Sequence, residues 1–157
     1  KDLVLTLSGR HWKSVPAEPG AETEPGLVVY RFSAPLFFAN ADYFELRLQR
    51  LVQGAPHPVR WLVLDLVSVS DVDYTAGLTL AAALGQLQRS GIVIVLSQAD
   101  DVRAEIDRFG ITTLVGADHV YETVQAAIDS YHEASPAGGD AVSKVAIEPA
   151  VVGTENT

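Results

Sequence analysis

The chain has no cysteine and no methionine among its 157 residues. The first absence excludes disulfides, thiol nucleophiles and cysteine-ligated zinc, and with them a disulfide-stapled secreted fold. The second extends to position 1, where a lysine stands, and the sequence is expected to begin inside a longer product. No apolar run reaches the roughly 18 residues needed to cross a bilayer. Lys1–Leu7 is too short, and too soon followed by polar residues, to be a secretory signal. Positive charge is scarce: 11 Lys and Arg stand against 20 Asp and Glu, for a formal net charge of −9. That balance argues against binding nucleic acid through its phosphates and against a polybasic grip on anionic lipid. Walker-type glycine loops and the Gly-x-Ser-x-Gly elbow are missing too.

What remains has the pattern of one α/β domain over residues 1–134. Leu3 to Leu7 alternate as a strand should. Gly9 to Gly26, with Pro16, Pro19 and Pro25, read as a long surface connection. Leu27–Phe32 is a strand by its β-branched and aromatic content. Pro35 breaks it, and Leu36-Phe37-Phe38 follow as a short extended piece. Asn40 is a candidate cap for a helix whose Phe44, Leu48, Leu51 and Val52 share one face. The run Val59–Val67 fits a central strand covered on both sides. A second helix is expected from Thr75 to Ser90 with Leu80, Leu84 and Leu87 inward, and Gly91 suits the left-handed position after it. Ile92–Leu96 is another buried strand. A short helix follows with Val102, Ile106 and Phe109 inward, then a final short strand at Ile111–Val115. Asp118 is expected to cap a last helix with Val120, Val124, Ala127, Ile128 and Tyr131 in one stripe. Residues 135–157 are expected to be largely unstructured.

The richest segment lies between the central strand and the second helix: Val67-Ser68-Val69-Ser70-Asp71-Val72-Asp73-Tyr74-Thr75-Ala76-Gly77-Leu78. A strand that ends here and turns into a helix presents free backbone N–H groups at the carboxyl edge of the sheet, where anions and partners are read. Thr75 is open to two readings, a helix cap or a phospho-acceptor that meets phosphate. Asp71 and Asp73 would oppose a bound anion. Asp65, Asp71 and Asp73 compose a hard-metal set on paper, yet acids at a strand end more often tie down turns. His11, His57, His119 and His132 share no ligand spacing and are expected on the surface. No histidine is near enough in sequence to activate Ser70 or Thr75. The expectation is a site without catalytic machinery and without a metal. One of Phe37 and Phe38 must point away from the core, and could dock a partner.

At this point a resemblance enters. Pro25-Gly26-Leu27-Val28-Val29-Tyr30-Arg31-Phe32-Ser33-Ala34-Pro35-Leu36-Phe37-Phe38-Ala39-Asn40-Ala41-Asp42-Tyr43-Phe44 resembles the start of the STAS domains of SulP-type sulfate and anion transporters, with Phe37-Phe38-Ala39-Asn40-Ala41, then Phe44 and Arg47, as the specific pattern. Asp73-Tyr74-Thr75-Ala76-Gly77-Leu78 resembles that family's loop before its second helix, and Ser90–Leu96 its next helix-to-strand junction. The resemblance spans Leu3 to Glu133.

It implies a small mixed sheet of about four or five strands flanked by about four helices. It also implies a cytoplasmic position after the membrane domain, on the inner face of the plasma membrane, and a regulatory rather than enzymatic role. The implied partners are the transmembrane domain of the same transporter and a cytosolic regulatory protein, with oligomerisation through the full-length carrier and no nucleic acid. Beyond weak nucleotide binding it implies no cofactor. The docking, anion or nucleotide loop would be Asn40, Asp73, Tyr74, Thr75, Ala76 and Gly77. The same fold serves free-standing anti-sigma-factor antagonists, which are phosphorylated in an Asp-Ser-Ser-Gly loop. Here that position is Thr75, with Asp73 as the acid. Tyr74 and Ala76 depart from the antagonists' pattern, and Phe37-Phe38-Ala39-Asn40 is not theirs, so the transporter branch is favoured.

Overall fold

Three continuous apolar runs become the middle of the sheet: β3 (Leu27–Arg31), β4 (Trp61–Asp65) and β5 (Val93–Ser97). All five residues of β4 are buried, as expected of a strand covered on both faces. The computed structural model describes residues 2–8, 11–33 and 38–135. Its other strands are β1 (Leu3–Ser8), β2 (His11–Pro16) and β6 (Val120–Tyr121). The sheet runs β2-β1-β3-β4-β5-β6. β3 to β6 are parallel, and β1 is antiparallel to both of its neighbours.

Helices α1 (Phe38–Gly54), α2 (Tyr74–Arg89), α3 (Arg103–Arg108) and α4 (Ile111–Val115) join one core with Val28, Tyr30, Leu62, Leu64, Ile94 and Leu96 of the strands. Helix α5 (Val124–Ala134) joins the other, against Leu27, Val29, Trp61, Val63 and Val95. The alternation along each strand decides which side chain enters which core. Phe44, Leu48 and Leu51 of α1 and Leu80 and Leu84 of α2 are buried as the helical period requires.

The class is α/β, with six strands rather than four or five. Part of the excess comes from the supposed loop at 9–26, which contains β2. Leu7 pairs with Trp12 and Leu3 with Pro16, and the Trp12 indole is fully buried. Ile111–Val115 is helical, not extended. Gly110 and Gly116, both at positive φ, bracket a single turn that buries Ile111 and Val115 on one side. The last strand is therefore Val120–Tyr121, beside Leu96 and Ser97. The last helix starts later than expected, and Thr123 caps it by accepting from the Ala126 N–H at 3.0 Å, while Asp118 lies in a 3-10 turn. Asn40 is inside α1 instead of capping it, because the helix already begins at Phe38. The extended piece expected at Leu36-Phe37-Phe38 is helical at Phe38, while residues 34–37 and the tail from 136 lie outside the described residues.

Candidate functional site

The carboxyl ends of β3, β4 and β5 finish in Arg31, Asp65 and Ser97, which are register partners in adjacent strands. Arg31 donates from Nε to Asp65 Oδ2 at 2.7 Å, and its Nη2 lies 2.6 Å from the same oxygen. Asp65 Oδ1 faces the Val67 N–H and the Ser97 hydroxyl, each at 3.4 Å. Burial pushes the Asp65 carboxyl above its ordinary value, and Arg31 pulls it part of the way back. Asp65 is thus an internal strut at 2% exposure, and not an open ligand for a metal. Among the described residues no group of three acids or histidines could hold an ion.

From there the chain makes a short turn. The Leu66 N–H donates to Ser97 O at 2.9 Å, and the Val69 N–H to Leu66 O at 3.0 Å. Val69 and Val72 plug into the core, while Val67, Ser68, Ser70 and Asp71 remain exposed. Asp73 stands at extended φ and ψ, and its Oδ1 accepts from the Ala76 N–H at 2.8 Å. Asp73 is therefore the cap of α2, which starts at Tyr74; Thr75 is the second helical residue and not the cap. An aspartate fills that role as well as a hydroxyl does and adds negative charge at the positive end of the helix.

The helix's first turn divides by face. Tyr74 is 69% exposed, and Thr75 and Leu78 also face outward. Ala76 and Gly77 turn inward and are buried, so neither lines an outer surface. A Cβ on Gly77 would lie 2.6 Å from Phe109 Cγ, and the close approach Gly77 permits is that of α2 to Phe109. The exposed Tyr74 ring meets the other side of this seam, edge-on to Phe109 at 6.0 Å between centroids. Asn40 is elsewhere, lining a hollow at the end of β3 with Asp2, Phe32, Tyr43 and Arg47. The structure thus brings together Asp73, Tyr74 and Thr75 as one presenting turn, with Ala76 and Gly77 as its footing.

Two buried pairs were missed by reasoning from sequence. Arg31 with Asp65 had a signal, since opposite charges end consecutive parallel strands. His132 did not. It is buried, not on the surface, with Nε2 2.7 Å from Glu24 Oε1. Of the other histidines, His119 lies edge-on to Trp61 and His57 contacts Glu22. Phe37 and the Phe38 side chain, the docking candidates of the extended piece, lie outside what is described.

Comparison with known proteins decides the family. Residues 18–127 match the STAS domain model. The chain belongs to the STAS domain family. A probable sulfate transporter of Mycobacterium tuberculosis (strain H37Rv) is 35% identical over 130 residues, which cover 82% of this chain and 23% of that protein. The STAS domain of a SulP transporter from Vibrio cholerae superposes with a TM-score of 0.61 at 29% identity, covering 73% of this chain and 87% of that one. A murine anion transporter, solute carrier 26 family member A9, shares the fold at a TM-score of 0.61 and 19% identity, covering 82% of this chain and 21% of that one. The chain thus spans about a quarter of the curated relative, and its STAS kin include domains of much larger SulP-type transport proteins. Among its described residues no helix is long and apolar enough to cross a membrane.

Proposed function

We propose that this STAS domain is a non-catalytic regulatory and docking module of a SulP-type anion carrier, with sulfate as the carried ion. It sits at the cytoplasmic face of the inner membrane and engages its own membrane domain or a cytosolic regulator. The observation that carries the reading is the first turn of α2. It offers Tyr74 and Thr75 outward while the Asp73 cap and the Gly77–Phe109 seam hold it in place. A rigid turn of this kind can bind two states of a carrier with different strength, which is all that regulation requires. The Ser97 hydroxyl of this edge faces Asp65, and the turn itself offers no acid–base pair.

The test is a photo-crosslinking residue at position 74 of the full-length carrier, together with Tyr74→Ala in a sulfate-uptake assay. Crosslinks to the membrane domain or a regulator, with altered uptake, support the reading. No crosslink and unchanged uptake overturn it. The exposure of Thr75 keeps a second reading in view, a switch phosphorylated there by a kinase-like partner. Stoichiometric phosphate on Thr75 after incubation with cell extract would favour it; Tyr74 and Ala76, which replace the antagonists' residues, speak against it.

A further inference from the structure

Five large apolar side chains stand exposed among the described residues: Tyr43, Leu46, Val67, Tyr74 and Leu78. Single exposed apolar residues are ordinary on a protein surface. Their placement is not scattered here. Every one lies in the first half of α1, in the first half of α2, or in the turn between β4 and α2, so the topology gathers them at one end of the molecule. Tyr74 and Leu78, four apart on α2, form one stripe. Val67, 45% exposed, shares a hollow of about 300 Å³ with Gln98, Asp100, Asp101 and Glu122 and with no basic residue.

The charges around this apolar stripe decide what can cover it. Arg31 is paired with Asp65 and Arg103 with Asp107 at the surface, while Arg108, over the Phe109 ring at 5.0 Å, leaves one positive charge beside the stripe. The positive end of α2 amounts to about half a charge, and its Ala76 N–H is already taken by Asp73. Asp71, Asp100, Asp101 and Glu122, all exposed at the same sheet edge, outweigh it. An incoming anion is therefore repelled where a cation is drawn in, over the roughly 8–10 Å that electrostatics reaches at physiological salt.

We infer that this surface takes a cationic, apolar-anchored protein segment: a Lys/Arg-rich amphipathic stretch whose apolar residues cover Tyr74 and Leu78 while its basic ones face Asp100, Asp101 and Glu122. The inference rests on the docking role proposed above and names the chemistry of the partner. It also predicts that inorganic phosphate does not bind at this turn. Electrostatics of this type speeds encounter and selects partners, and salt weakens it.

The experiment titrates the 157-residue chain with a synthetic amphipathic Leu/Lys helix, following backbone amide shifts. A matched Leu/Glu helix and inorganic phosphate serve as the other arms. The Leu/Lys peptide is expected to shift Asp71–Leu78, Asp100, Asp101 and Glu122, with binding weakened about tenfold between 50 and 300 mM salt. Asp100→Asn with Asp101→Asn should weaken it by a similar factor, as should Tyr74→Ala. Glu18→Gln with Glu133→Gln, the same charge change placed elsewhere, should leave it within about twofold. Equal loss in that control pair, equal binding of the Leu/Glu peptide, or phosphate shifts confined to Tyr74–Gly77 would each overturn the inference. Crosslinks from position 74 in the carrier alongside any of those results would leave the docking role standing and remove only the basic partner. Without crosslinks both fall.

Discussion

The parallel strands are finished differently at their two ends. At the amino end, polar groups close on one another. Arg60 Nη2 donates to Tyr131 Oη at 2.8 Å, Tyr131 Oη donates to Pro25 O at 2.8 Å, and His132 meets Glu24. Gly26, at φ +87°, accepts from the N–H groups of Arg60 and Trp61 at 2.8 and 2.9 Å. At the carboxyl end the internal strut of Arg31 and Asp65 is also sealed, but the turn above it points Tyr74, Thr75 and Leu78 away from the protein. The two ends divide the labour. One end turns its polar groups inward, with Glu24 Oε2 and His132 Nδ1 buried and unpartnered among the described residues, and holds α5 to the sheet; the other leaves its outer side chains exposed.

Substitutions should separate the two ends. Gly26→Val should be the most damaging. Its Cβ would lie 2.6 Å from Tyr131 Oη and 2.9 Å from Arg60 Nε, in a backbone conformation a branched residue resists. A loss of about 3 kcal/mol in urea unfolding is expected, and a loss below about 1 would show that the amino end is not under this constraint. Gly77→Ala comes next. Alanine gains up to about 1 kcal/mol of helix propensity, but displacing the packed Phe109 ring costs more, for a net loss of about 2 kcal/mol by the same measurement. Asp73→Ala should lose about 1 kcal/mol, with amide exchange speeding first at Ala76. Tyr74→Ala should change stability by no more than about 0.5 kcal/mol while altering sulfate uptake by the full-length carrier. A large unfolding effect there would mean that the carboxyl end is built like the amino end.

The sheet and the inward faces of the helices were legible in the residues. The apolar runs of β3, β4 and β5 announced a covered sheet, and the spacing of Leu80, Leu84 and Leu87 set the inward face of α2, while Ala76 and Gly77, expected in the docking loop, lie on its buried side. What was not legible depends on partners distant in the chain. Nothing near Gly77 names Phe109, and nothing near His132 names Glu24. β2 hid in a proline-rich stretch because its strand character comes from pairing with β1, not from its own composition. Ile111–Val115 has the β-branched content of a strand, yet the flanking glycines and the burial of Ile111 and Val115 set it as one helical turn. Thr75 lost the cap because local composition does not choose between two capping residues so close together, whereas the start of the helix does.

The rank formed by Arg31, Asp65 and Ser97 has one further consequence, for how the chain finds its native alignment. Valines in neighbouring strands are interchangeable partners, so a slip of two positions would keep every side chain on its proper face. Such a slip of β3 along β4 would set the guanidinium of Arg31 beside Val63 and bring Ser33 opposite Asp65, whose buried carboxylate would lose its countercharge. One pair of charges thus works as a key that accepts a single arrangement of otherwise greasy, repetitive ribbons, and it guards the misfolding route closest to hand.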